Sequence, residues 1–269
     1  MEKFEFRENK LTHEWVVIAP SRSKRPDVAK GTEPECPFCP GAEGKTPREV
    51  YRIGGGKPNQ SGWQVRVVPN KYPFAPTHEI IVHSPVHDGS LFNYPTTHIA
   101  KIIRVYKSRY IEHKTDGQVF IFHNHGEGAA ESLPHDHTQL TVIHKEVVLD
   151  IPRMGAPENV FLKTKYFSAF CPSTSQWPHE VWFAPNERGK QFGDIKEVEI
   201  KDLAKLLPKI LKRLQKVIRE DFPFNFYIYH GGDWYLRVVP RVKEPGGFEI
   251  GTGIFVNTVD PVKAARQLK

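Results

Sequence analysis

The residues with the most chemical potential fall in one block, HNHGEGAAESLPHDHTQL from His123 to Leu140, which holds four of the 13 histidines. His135 and His137 stand one residue apart, so on an extended segment both rings point to the same side. A neutral imidazole can attack phosphorus with one nitrogen while an acceptor holds the other as N–H. Gln139, two residues further on, can donate a hydrogen bond to a phosphoryl oxygen. The small residues Gly128, Ala129 and Ala130 let backbone N–H groups come close to an anion. A His-rich metal loop is the rival reading of these residue types. The second feature is Cys36-Pro-Phe-Cys39, a spacing that suits half of a tetrahedral zinc site. A redox dithiol competes with it, but no thioredoxin-like βαβ pattern surrounds the pair. Two further ligands have to come from elsewhere, from Cys171 or from histidines. The third is Ser21-Arg22-Ser23-Lys24-Arg25-Pro26. Arginine forks match phosphate oxygens, and a solvated loop is the plain alternative.

Strands and helices must position these groups. HEWVVIA (13–19), WQVRVV (63–68), EIIVH (79–83), QVFIFH (118–123) and QLTVIH (139–144) read as strands. Residues 20–62 are rich in Pro, Gly and Lys and read as a long structured loop, which a metal at the cysteine pair would order. In Thr96–His113 the residues Ile99, Ile102, Ile103, Tyr106 and Tyr110 recur at helical spacing. The second half repeats the plan. Strands are expected at 166–171, 179–184, 225–229 and 234–239, and a helix at 200–220 that Pro208 would kink or divide. A short helix is expected from Asp260. The fold class is α+β, with two related halves, 1–148 and 149–269, of mostly antiparallel sheets with packed helices.

Composition narrows the field. The chain of 269 residues is 39% hydrophobic and 26% charged, enough for a large core without a disulfide scaffold. Three cysteines are too few to staple an extracellular fold. The opening MEKFEFRENK lacks the apolar core of a signal peptide, and no apolar run reaches the ~18 residues of a membrane span. A cytoplasmic protein with no membrane partner is therefore expected. The net charge of +7 favours nucleotides, sugar phosphates or nucleic acid as partners. Nucleic acid fits poorly, because the charges do not cluster on one helix and no second Cys-x-x-Cys is present.

Taken together, LTHEWVVIAPSRSKRP, CPFC, RVVPNKYPF, HEIIVHSPVHDGSL and FHNHGEGAAESLPHDHTQ, in this order, resemble the galactose-1-phosphate uridylyltransferase family of the histidine-triad superfamily. The last segment matches the family spacing Asn-x-Gly…Ser-x-x-His-Pro-His-Gly-Gln. The resemblance implies histidine-triad-like halves and a ping-pong reaction through a nucleotidyl-histidine. His137 would be the nucleophile and Gln139 the contact to the α-phosphoryl group. Arg22, Arg25, Asn124 and Ser132 would fall on phosphate-binding positions, Asn70 and Tyr72 on base-contacting ones, and Phe248 on the segment that approaches the sugar. Cys36, Cys39, His87 and His135 would hold one structural zinc. The second-half iron site of some members needs a His-x-His where this chain has Tyr235 and Arg237, so no iron is expected. Asp136 and Thr138 replace the family's Pro and Gly, and Thr252 and Gly253 stand where the family has a Tyr-Glu pair.

The implied activity exchanges UMP between UDP-hexose and hexose 1-phosphate: UDP-glucose plus galactose 1-phosphate gives glucose 1-phosphate plus UDP-galactose. The implied assembly is a homodimer. Two alternatives use the same residues: an ADP-glucose phosphorylase, or a histidine-triad nucleotide hydrolase. In the related hydrolases the position of Gln139 is a third histidine, so glutamine argues for transfer.

Overall fold

In the computed structural model, which describes residues 4–25 and 35–269, Pro26 of the basic segment lies outside the described residues. The chain divides into two units. One holds the residues up to Gly89, Arg104–Phe122 and Ser132–Pro152. The other holds Ser90–Ile103, His123–Glu131 and Arg153–Lys269.

In the first unit β1 (Glu5–Glu8) and β2 (Trp15–Ile18) form a separate antiparallel pair. Its sheet is built from β3 (Tyr51–Gly54), β4 (Trp63–Pro69), β5 (Thr77–Val82), β6 (Gln118–His125, of which residues 118–122 fall in this unit) and β7 (His137–Ile143). They lie in the order β3-β4-β5-β7-β6, with the first three contacts antiparallel. Two features depart from the sequence reading. β3 lies inside the stretch read as loop, pairing with β4 through a bulge at Ile53/Gly54. Gly54 takes φ +122, where a Cβ would meet the backbone N of Gln64 at 2.7 Å. β7 starts at His137, two residues before the expected Gln139. A polar His-Thr step is admitted to a buried strand because the His135 carbonyl accepts from His137 while His83 and Tyr106 meet the Thr138 hydroxyl.

Helix α1 (Thr96–His113) has the expected bounds, and Ile99, Ile102, Ile103, Tyr106 and Tyr110 are buried. Arg109, near its end, forks onto the buried carboxylate of Glu79 on β5, Nε to Oε2 at 2.9 Å and Nη2 to Oε1 at 2.6 Å. That pair ties the C-terminal part of α1 to one face of β5.

In the second unit β8 (Val160–Lys163), β9 (Phe167–Phe170), β10 (Val181–Pro185), β11 (Phe224–Ile228) and β12 (Leu236–Pro240) form an antiparallel set in the order β11-β12-β10-β9-β8. Helix α2 (Glu197–Val217) buries Leu203, Leu207, Leu211 and Leu214. Pro208 neither ends nor divides it. Proline removes one backbone donor, and the apolar stripe on both sides of it holds the helix together. α3 (Gly247–Thr252) and α4 (Pro261–Gln267) follow, the latter capped by Asp260, whose carboxylate accepts the Lys263 N–H at 3.0 Å. Among the described residues no helix is long and apolar enough to cross a membrane.

The core of this unit contains a stack of rings, with Trp182 and Tyr235 4.0 Å apart and Tyr235 and Tyr229 5.2 Å apart. Beside it the buried Arg237 guanidinium meets Glu180 at 2.8 Å and the Tyr227 hydroxyl at 3.0 Å. Removing one partner of a buried ion pair strands the other charge. Glu180→Ala is therefore expected to cost about 3–5 kcal/mol. Urea unfolding would show it as a lower midpoint with an unchanged slope.

Candidate active site

The register of β5 against β7 decides which side chains can meet. Val82 lies opposite His137, Ile80 opposite Gln139 and His78 opposite Thr141. Side chains alternate along a strand, so His78, Ile80 and Val82 share one face with His137 and Gln139. Glu79, Ile81 and His83 share the other with Asp136 and Thr138.

On the first face His137 is buried, and its Nδ1 donates to the His135 carbonyl at 2.8 Å. That bond fixes the tautomer and leaves Nε2 unprotonated. Burial pushes the His137 imidazole down to a pKa of about 4, so the ring is neutral at physiological pH. The ring of Phe38, from between the two cysteines, packs 5.3 Å away. His137 and Gln139 line a cavity of about 230 Å³ together with Arg25, Asn70, Tyr72 and Ser132. Apolar walls come from Phe38, Val68, Ile80 and Leu133. The Asn70 carbonyl oxygen accepts the Tyr72 N–H at 2.8 Å, closing a local turn. Arg22 donates to the Tyr72 carbonyl at 2.6 Å and lies 4.8 Å over the Phe74 ring. Burial and the neighbouring Arg25 pull the Arg22 pKa down to about 10, which leaves it charged at neutral pH.

Four donors converge beside the start of β7. Cys36, Cys39, His87 and His135 present ligand atoms all within 4.8 Å of one another. Cys36 Sγ stands 3.5 Å from His135 Nδ1, and Cys39 Sγ stands 3.3 Å from His87 Nδ1 and 3.7 Å from His135 Nδ1. Ligand atoms held ~2.0–2.3 Å from a tetrahedral ion lie roughly 3.3–3.8 Å apart, so the cluster has the dimensions of a tetrahedral site. The other nitrogen of His135 donates to the Ser84 carbonyl at 2.7 Å, which turns Nδ1 toward the cysteines. Cys171 is buried and free, on the second unit. Burial and the nearby Glu180 push its thiol up to about 12.

The opposite face accounts for Asp136 and Thr138. His83 Nδ1 stands 2.9 Å from Asp136 Oδ2, and its Nε2 lies 2.9 Å from the Thr138 hydroxyl and 2.8 Å from the Tyr106 hydroxyl. The two hydroxyls are 2.7 Å apart. All four residues are buried. The two side chains that differ from the motif's Pro and Gly thus bond to β5 and α1, on the side of the strand away from His137.

Asn124 and Phe248 are placed on the second unit, and neither lines the cavity. Asn124 Oδ1 accepts from Asn225 at 2.8 Å, and Phe248 is 54% exposed on α3. Thr252 donates to the Phe248 carbonyl at 2.7 Å, and Gly253 ends α3 in the left-handed conformation. His78 escaped the sequence reading. It is buried on the cavity face of β5, with Nε2 2.9 Å from Gln139 Oε1 and 3.0 Å from Asn70 Nδ2. No alternation in THEIIV marked it, because the strand is buried on both faces. Lys45 and Lys71 at the cavity were missed because an isolated loop lysine carries no pattern.

The same segments are matched by known proteins. Residues 75–144 match the family model of galactose-1-phosphate uridyl transferase, N-terminal domain. The chain is 26% identical to the ADP-glucose phosphorylase of Arabidopsis thaliana, over 98% of this chain and 92% of the relative. A crystal structure of that enzyme with bound ADP-glucose superposes with a TM-score of 0.76 over 98% of both chains. The galactose-1-phosphate uridylyltransferase of Thermotoga maritima is 24% identical over 98% of both chains. A solved uridylyltransferase, 22% identical, shares the fold with a TM-score of 0.80 over 98% of this chain and 97% of that one. The family model falls on β5, β6 and β7, and over nearly its whole length the chain is similar to proteins of the galactose-1-phosphate uridylyltransferase family.

Proposed function

We propose that the protein transfers a nucleoside monophosphate from a nucleoside diphosphate sugar to a phosphate acceptor through a covalent His137 intermediate. The observation that carries this reading is the His137 Nδ1–His135 carbonyl bond of 2.8 Å at the wall of the cavity. In the first half-reaction His137 Nε2 attacks the α-phosphorus. The N–P bond forms, the bridging P–O bond breaks, and sugar 1-phosphate leaves with the bond electrons. In the second half-reaction an oxygen of the acceptor phosphate attacks the same phosphorus and the N–P bond breaks. The ring becomes cationic while it carries the phosphoryl group, and the His135 carbonyl stabilises that charge. Gln139 donates to the α-phosphoryl oxygens, and Arg22, Arg25, Ser132 and Asn124 are assigned to the phosphates. Asn70 and Tyr72 are assigned to the base, and Phe248 to the sugar side. Transfer of this kind depends on positioning and charge neutralisation more than on acid–base catalysis.

Cys36, Cys39, His87 and His135 would hold one zinc ion. Its contribution is structural: it anchors the loop that carries Phe38 and fixes the residue whose carbonyl holds His137. We read the sequence as two related histidine-triad-like halves, 1–148 and 149–269, and the protein as a cytoplasmic homodimer.

The substrate pair we propose is UDP-hexose and hexose 1-phosphate, the exchange that gives its name to the Thermotoga maritima relative. ADP-glucose phosphorolysis is the second reading. It is supported by the Arabidopsis thaliana relative, whose crystal structure holds ADP-glucose, and by Thr252 and Gly253 at the sugar segment. Intact mass after mixing with UDP-glucose, ADP-glucose or GDP-mannose, quenched in base, decides between them. A UMP adduct is the expected result. An AMP adduct supports the phosphorylase. Free nucleotide released without an acceptor and without an adduct would overturn transfer in favour of hydrolysis.

A further inference from the structure

Gln139 can serve a phosphoryl group only with its amide N–H end toward the cavity, and an amide side chain has two faces of similar shape. Three contacts around His78 bear on which end points where. His78 Nε2 lies 2.9 Å from Gln139 Oε1. It also lies 3.0 Å from Asn70 Nδ2. The Asn70 amide is itself fixed, because its oxygen accepts the Tyr72 N–H at 2.8 Å. One imidazole nitrogen cannot donate to Gln139 and accept from Asn70 at once, so the tautomer of His78 selects between them.

The other ring nitrogen favours the first, in which the Asn70 amide N–H lies beside Nε2–H without bonding to it. His78 Nδ1 is buried with no hydrogen-bond partner among the described residues. A proton placed there would be a stranded donor, whereas a proton on Nε2 has the Gln139 oxygen as its acceptor. We propose that His78 is a positioning residue, whose Nε2–H holds Gln139 Oε1 and so turns the Gln139 amide N–H toward the phosphoryl group. The opposite tautomer would accept from Asn70 and require the Gln139 N–H end to face His78, which leaves a carbonyl oxygen against the phosphate. Burial, reinforced by Arg22, Arg25 and His137, drives the His78 pKa down to about 3, so the neutral ring persists at working pH. The register supports the contact, because His78 and Gln139 are diagonal neighbours on one face of the β5–β7 pair.

The inference rests on the nucleotidyl-histidine reading, and the test separates the two. Single-turnover formation of the His137 adduct is measured for the wild-type protein, His78→Leu, His78→Gln, Gln139→Ala and the double variant His78→Leu/Gln139→Ala. His78→Leu should slow adduct formation by about 10²-fold, the scale on which a preorganised donor is lost. His78→Gln, whose amide N–H reaches the position of Nε2, should recover most of the rate. The decisive arm is the double variant. If His78 acts through Gln139, then His78→Leu adds no further loss once Gln139 is alanine. A full additional 10²-fold loss in that background would overturn the proposal. So would a His78→Leu protein that reacts at the wild-type rate. Equal slowing in the leucine and glutamine variants would also overturn it, since a purely packing role is not rescued by an amide. A wild-type protein that forms no adduct would fail the underlying reading instead.

Discussion

His137→Asn is expected to lower nucleotidyl transfer by on the order of 10⁴-fold or more, about 5.4 kcal/mol of barrier. The substitution removes Nε2, the atom that would bond to phosphorus. It keeps a polar N–H near the place of Nδ1, where it can still donate to the His135 carbonyl. His137 offers no atom to the four-residue metal cluster, so metal content should stay at the wild-type level. Steady-state exchange and intact mass check both points: the variant should neither turn over nor gain mass from any donor. A variant that still transfers at near the wild-type rate would remove His137 from the chemistry.

Cys36→Ser is expected to act on the fold first and on the rate through it. The thiol lies among four donors spaced as a tetrahedron requires, and a hydroxyl is a far poorer zinc ligand. Each hundredfold loss of affinity removes about 2.7 kcal/mol of linked stability. For a chain of this length that corresponds to a fall of roughly 5–10 °C in Tm. Elemental analysis should find about one zinc per wild-type chain and substantially less in the variant. Phe38 packs against Trp63, Val68, Ile80 and Val82, so a loosened Cys36–Cys39 loop also opens the wall behind His137. Transfer should therefore fall while the protein remains folded at low temperature. Unchanged metal content together with unchanged melting would sink the cluster as a metal site.

Periodicity was enough where burial is one-sided and local. The run Ile99, Ile102, Ile103, Tyr106 and Tyr110 defined α1 to its terminal residues. The four metal-cluster residues were named from the family resemblance, because Cys-x-x-Cys supplies only two donors and the remainder arrive from 48 and 96 positions beyond Cys39. β3 was hidden because Tyr-Arg-Ile-Gly is four residues long, lacks alternation and sits among glycines. β8, equally short, offers only Val-Phe-Leu-Lys, too brief a run to set a period. The start of β7 was hidden because a buried His-Thr step looks like surface until His83 and Tyr106 are known to face Thr138. His78 was invisible on the same ground. Its meaning lies in a cross-strand diagonal, and register is a tertiary property that no single segment contains. Pro208 shows the converse error, since a strong local signal for a break was overridden by the leucine stripe around it.

The strand that carries His137 is occupied on both faces by polar groups, yet the two sets answer to different constraints. On the proposed function His137 and Gln139 must suit a substrate, while Asp136 and Thr138 need only suit His83 and Tyr106. The pleat keeps the two sets from touching. Asp136 and Thr138 can therefore be matched to His83 and Tyr106 without disturbing the face that carries His137. The geometry of bond-making on the other side is left intact.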